Sequence, residues 1–154
     1  MSTLANGTED LVGQNENPAV AYATINAALQ KIALMNLLDK DVPFFGIVHN
    51  GQARGTSQIA IDRIITAVEI RCEGDAPSGS SLVVQLSVGG TLQAQQYALG
   101  ATQTYALIPV TGDGNGGSGA GLVVPASITL AVQIISGNQA TDVVVCPKTQ
   151  LRIL

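Results

Sequence analysis

Few side chains in this sequence are able to do chemistry, and they are scattered. The single histidine, His49, lies in "GIVHNGQARG". An imidazole working as a general base needs a partner to orient it, and a metal site needs more than one strong ligand. Asp41 and Asp62 are the conceivable partners, but the segment reads as a strand end followed by a turn, which predicts a surface histidine. The acids Asp62, Glu69, Glu73 and Asp75 would be the raw material for a glycosidase pair. Glu69, however, alternates with Val68 and Ile70 and reads as a solvated strand charge, while Glu73 and Asp75 fall in a turn. Ser78, Ser80 and Ser81 have no histidine at a recognisable spacing and no nucleophile-elbow sequence around them. No catalytic residue, cofactor site or metal site is therefore assigned, and the chain is expected not to be an enzyme.

The glycine-rich run "TGDGNGGSGAG", residues 111–121, needs the same test. It lacks the Lys-Ser/Thr pair of a P-loop, and it lies between strand patterns rather than ahead of a helix. Calcium takes several carboxylates, and this run offers only Asp113 and Asn115. A flexible or exposed hairpin loop is the expectation. The two cysteines, Cys72 and Cys146, are too few for a disulfide framework. Both are expected as reduced, buried thiols, although neighbouring first and last strands of a sandwich would bring them near each other. Aromatic residues are 3% of the chain, with no Trp. Sugar faces stack on aromatic rings, so this count weighs against glycan recognition.

The elements that must carry these residues fall into three parts. Residues 1–17 are polar and aperiodic and read as an extended arm. Residues 18–43 read as a helix: Asn17 is a good N-cap, Pro18 suits the first helical position, and Pro43 stops the run. Roughly 20 helical residues at 1.5 Å each give a rod of about 30 Å. Tyr22, Ile25, Leu29, Ile32 and Asn36 recur at spacings of three and four, the seam of a coiled coil with one polar residue. Two readings stay open for this helix: association with copies of itself, or packing on its own domain, with Phe44 and Phe45 seating it. From residue 44 to 154 the period changes to two. Leu82, Val84 and Leu86 alternate with Val83, Gln85 and Ser87, and Ile128, Leu130, Val132 and Ile134 alternate likewise. Further strand patterns occur in "FFGIVH", around Ile59/Ile61, at Val68/Ile70/Cys72, in "TLQAQQYALG", "TYALIPV" and "TDVVVC". About eight short strands with no intervening helices predict a mainly β fold, an antiparallel β-sandwich carrying an N-terminal α-helix; the resemblance given below makes it jelly-roll-like.

Composition narrows the partners. Of 154 residues, 46% are hydrophobic and only 12% charged, about half the share usual in a globular domain. No run of eighteen apolar residues is present to span a membrane as a helix. The apolar surplus predicts burial between subunits. The net charge is −4, and Lys31, Lys40, Arg54, Arg63, Arg71, Lys148 and Arg152 are scattered singly. Nucleic-acid binding needs a concentrated cationic footprint, so it is not expected. The start "MSTLANGTED" has neither a basic nor an apolar stretch, so no secretory signal is expected.

The run "IITAVEIRCEGDAPSGSSLVVQLSVGGTL", followed by "VVPASITLAVQIISGNQATDVVVCPKTQLRI", resembles a jelly-roll module of tailed-bacteriophage virion proteins. Ala76, Pro77, Gly79, Ser80, Ser81 and Leu82 carry the match, over roughly residues 60–154. Such modules occur in capsid decoration (cement) proteins, head fibres and tail proteins, and the family has no catalytic residues to transfer. Pro77 and Gly79 are expected to set the turn, with Leu82, Val84 and Leu86 filling the core. The resemblance implies a non-enzymatic protein made in the host cytoplasm and located on the virion surface. It would bind the major capsid protein as a homo-oligomer, a trimer in preference to a dimer, through the arm and helix. A tail-fibre or baseplate module recognising host glycan is the alternative, and a small jelly-roll glycosidase acting through Glu69 or Glu73 is the third reading.

Overall fold

The computed structural model describes residues 21–29, 39–56 and 58–151. The chain forms two units, Met1–Leu37 and Leu38–Leu154. In the first, residues 21–29 are helical. Alanine is the strongest helix former, and Ala21, Ala23, Ala27 and Ala28 fall here. Tyr22 and Leu29 are 69% and 57% exposed, and Ile25 is half-buried. Residues 1–17, Pro18, Ile32 and Asn36 lie outside the described residues.

The second unit is a sandwich of two antiparallel sheets. Its strands are β1 (Val42–Ile47), β2 (Ala53–Gly55), β3 (Arg63–Cys72), β4 (Leu82–Val88), β5 (Thr91–Leu99), β6 (Tyr105–Pro109), β7 (Leu122–Val124), β8 (Leu130–Ser136) and β9 (Thr141–Leu151). One sheet runs β1-β9-β3-β6, the other β2-β8-β4-β5. β7 pairs with β3 at Arg63–Ile65, and β6 pairs with the same edge of β3 at Ala67–Arg71. β6 and β7 thus fill one strand position. Eight positions result, arranged in the two interleaved four-strand sets of a jelly roll.

Alternation builds the core. Leu82, Val84 and Leu86 of β4 and Leu130, Val132 and Ile134 of β8 are at most 1% exposed. They face Val42, Phe44, Ile65, Val68, Ile70, Val143 and Val145 of the other sheet. Full burial of each such side chain is worth about 1.5–3 kcal/mol. Pro77 is buried and Gly79 takes φ +78° in the turn that feeds β4. The Pro77 carbonyl accepts from Thr102 N–H at 2.9 Å, and Ser78 N–H donates to the Asn138 carbonyl at 2.9 Å.

Several sequence expectations differ from the structure. The helix does not reach 43: Val42 and Pro43 are strand residues paired with Val145 and Val144. Proline, lacking an N–H, is tolerated there because β1 is a sheet edge. Phe44 joins the sandwich core at 2% exposure, while Phe45 turns outward at 73%. Ala53–Gly55, read as a turn, forms the short strand β2 against β8. The run at Ile59/Ile61 is loop. Ile128 is 37% exposed, because a turn closed by its N–H on the Pro125 carbonyl precedes β8.

Candidate binding cleft

The two outer faces of the sandwich carry different side chains. On the β1-β9-β3-β6 sheet, Val68 and Ile70 point inward, so Glu69 and Arg71 point out. Strand register sets Glu69 beside Cys146 of β9 and Leu107 of β6, and Arg71 beside Val144 and Tyr105. Glu69 is not the solvated charge its alternation suggested. It is 9% exposed, pairs with Arg71 and lies 3.4 Å from the Lys148 ammonium. Arg71 also reaches Asp41 at 3.0 Å and Glu73 at 3.5 Å. Burial works against the Arg71 charge, but the Asp41 and Glu69 carboxylates outweigh it and hold its pKa above the usual value. Asp39 accepts from Thr149 N–H at 2.7 Å, so the segment ahead of β1 is fastened to β9. The network sets two cations, Arg71 and Lys148, among three carboxylates, so Glu69 is held by ion pairs on both sides.

Cys146 belongs to this outer face, whereas Cys72 belongs to the core cluster. The two thiols lie on opposite sides of one sheet and both are free. Burial pushes the Cys146 thiol up to about 11, opposed by Lys148 and reinforced by Asp41 and Asp39. His49 is exposed at the β1–β2 turn, its N–H bonded to the Gln52 side chain at 2.9 Å. The glycine run is exposed but neither a hairpin nor loose. It leaves the edge strand after β6, crosses to the opposite sheet and returns as β7. Gln95 N–H donates to the Gly114 carbonyl and Ala94 N–H to the Asn115 side chain, each at 2.9 Å. Asn115 donates to Gln93 at 2.6 Å. Asp113 accepts from the N–H groups of Asn115 and Gly117, which lower its pKa. At the return point Gly121 has φ +139°, and a Cβ there would strike the Ile65 carbonyl, so only glycine fits.

Between β1 and β2, where the edges of the two sheets meet, Lys40, Asp41, Val42, Pro43, Arg54, Gly55 and Thr56 line a cleft of about 180 Å³. Arg54 crosses this seam, its guanidinium carbon 5.6 Å from the Phe45 ring centre and 6.0 Å from that of Phe44. Such a contact at an exposed site is worth about 0.5–1 kcal/mol. Behind the Thr56 wall lies Arg63, 2% exposed, whose Nη2 donates to the Thr56 hydroxyl at 3.5 Å. Burial lowers its pKa. Neither Lys40, Arg54 nor Arg63 has a carboxylate partner among the described residues.

Sequence reasoning missed this cleft because its cations are separated singly along the chain. Only the jelly-roll closure, which sets the β1 and β2 edges side by side, brings them together.

No protein-family model and no curated protein matches the sequence. One similar solved structure is described as "EclA C-terminal domain; sugar-binding protein". It is 14% identical, with 74% of this chain and 78% of that chain covered, at a TM-score of 0.38. A likeness of that size carries no argument about ligand or role.

Proposed function

We propose that this protein is a non-enzymatic virion structural protein of a tailed bacteriophage, a capsid decoration or head-fibre subunit that works as a homo-oligomer, preferably a trimer. The observation that carries this reading is the outer face of the β2-β8-β4-β5 sheet. Its outward positions are Ala53 and Gly55 of β2, Ala131, Gln133 and Ile135 of β8, Val83, Gln85 and Ser87 of β4, and Ala94, Gln96 and Ala98 of β5. None is charged. Register aligns Gln96, Gln85, Gln133 and Ala53 in one row across four strands. A free protein surface ordinarily intersperses charges of both signs. A neutral face suits packing against copies of itself or against a shell, where buried charge would have to be desolvated. The phage-like turn at residues 76–82 supports the virion setting.

Light scattering on the full chain tests this reading. A trimer that dissociates when Gln133 is replaced by Glu supports assembly through this face. A monomer at about 100 μM, far above the concentrations at which specific assemblies hold, removes it.

A further inference from the structure

The cleft between β1 and β2 is left unused by that assembly role. We propose that it binds an acidic sugar, the carboxylate of a hexuronate residue in a polysaccharide. This assignment does not depend on the virion reading.

The charge balance is the first support. The chain has 7 cationic and 11 acidic residues, yet two cations with no carboxylate partner among the described residues, Lys40 and Arg54, line this one cleft. A third, Arg63, adds its field from behind Thr56. The single acid in the lining, Asp41, is turned to Arg71 at 3.0 Å. A carboxylate entering here meets a local excess of positive charge without competition from the wall.

Preorganisation is the second. Arginine's planar fork matches a carboxylate with two parallel hydrogen bonds. The Phe44 and Phe45 ring centres lie 6.0 and 5.6 Å from the Arg54 guanidinium carbon, so the side chain is held at the seam by contacts that use none of its N–H donors. Less side-chain freedom is then lost on binding.

The apolar wall is the third, and it separates a sugar from a bare anion. Phe45 is 73% exposed beside the cleft, and Pro43 and Val42 lie in its lining. A pyranose ring offers C–H groups on one face and hydroxyls at its edge, which suits an aromatic platform next to hydrogen-bonding groups. An inorganic anion makes no use of such a platform. A nucleic-acid backbone needs a track of cations, and the net charge of −4 opposes it. The low aromatic content that weighed against glycan recognition is met here by one ring in the right place.

Titration calorimetry on the full chain tests the proposal, with a galacturonate trisaccharide, a neutral galactose trisaccharide, acetate and sulfate as probes. The expected result is uronate binding with a dissociation constant of about a millimolar, at least about tenfold weaker binding of the neutral sugar, and weakening as salt rises. Arg54→Gln should reduce uronate affinity by about tenfold while lowering the melting temperature by no more than about 5 °C. Phe45→Ala, which removes both the platform and one ring holding Arg54, should reduce uronate affinity by a larger factor than it reduces that of acetate or sulfate. Three outcomes overturn the proposal: equal binding of uronate, acetate and sulfate, uronate binding that survives Arg54→Gln, or no uronate heat at about 10 mM. If Arg54→Gln proves misfolded by circular dichroism, Lys40→Gln, at an exposed lining position, replaces it with the same criteria.

Discussion

The two outer faces of one sandwich solve the same problem in opposite ways. Both are written by the residues that alternate with the core, and both belong to strands of similar length. The β1-β9-β3-β6 face gathers Glu69, Arg71, Lys148, Asp41 and Glu73 into an ion network and buries Cys146 in it at 3% exposure. The β2-β8-β4-β5 face has no charge and displays a row of glutamines. On the first, polar groups find their partners within the chain. On the second, the outward positions carry no charge, and the central amide, that of Gln85, donates to the Gln93 carbonyl at 2.9 Å. The two faces thus differ in charge: one is knit by ion pairs, the other by neutral groups.

Removing Glu69 is the sharpest way to break the contrast. Glu69→Ala leaves Arg71 and Lys148 facing each other without the carboxylate between them. A stability loss of about 2 kcal/mol in urea unfolding is expected, below that of a fully buried pair because Arg71 and Lys148 are each 33% exposed and Arg71 keeps Asp41 and Glu73. A loss below about 0.5 kcal/mol, the usual surface value, would make the network ornamental.

The next effect is alkaline. The Cys146 pKa is raised to about 11 in the folded chain from an ordinary value of 9.0. Between those values the unfolded chain ionises its thiol first and binds fewer protons, so stability falls as pH rises. The contribution is whole below about pH 9 and lost by about pH 11, a difference of about 1–3 kcal/mol. Unfolding free energies at intervals across that window should show the decline, and Cys146→Ser should make it shallower, leaving the share of Cys72 and Tyr97, whose pKa values burial also raises. An identical slope in the variant would place the titrating group elsewhere.

The neutral face should respond least in stability and most in mass. Gln133→Glu is expected to change monomer unfolding by less than about 0.5 kcal/mol while lowering the mass seen in light scattering. Gln96→Ala, which adds no charge, should leave both nearly unchanged. If Gln133→Glu destabilised the chain as much as Glu69→Ala does, the two faces would not differ in kind.

Strands whose neighbours in sequence repeat the core pattern were legible from sequence. β4 and β8 each place three consecutive inward residues at most 1% exposed, as period two requires. β2 was not legible, because three residues between turn signals have no period to read; its ladder to β8 alone makes it a strand. The glycine run looked like a hairpin because glycines mark a turn without saying what lies on either side. Only the shared pairing of β6 and β7 with β3 shows that a single strand has been opened. Glu69 was placed on the correct face but in the wrong environment. Alternation reports direction, whereas its burial comes from Lys148, 79 positions away by their numbers, and from the segment around Asp41. The seam cleft had no local signal, since Lys40 and Arg54 become neighbours only through closure of the sandwich.

The opened strand also bears on how such a chain stays dispersed. Unpaired strand edges recruit other strands, and proteins commonly guard them with lysines. This sequence has few charges to spend on repulsion. Its excursion instead splits one edge into lengths of five and three residues, and it occupies the amides of Ala94 and Gln95 on the edge strand opposite. Pro43 withholds an N–H at the β1 edge. Hydrogen bonds already taken, rather than like charges, protect this sandwich from growing into a fibre.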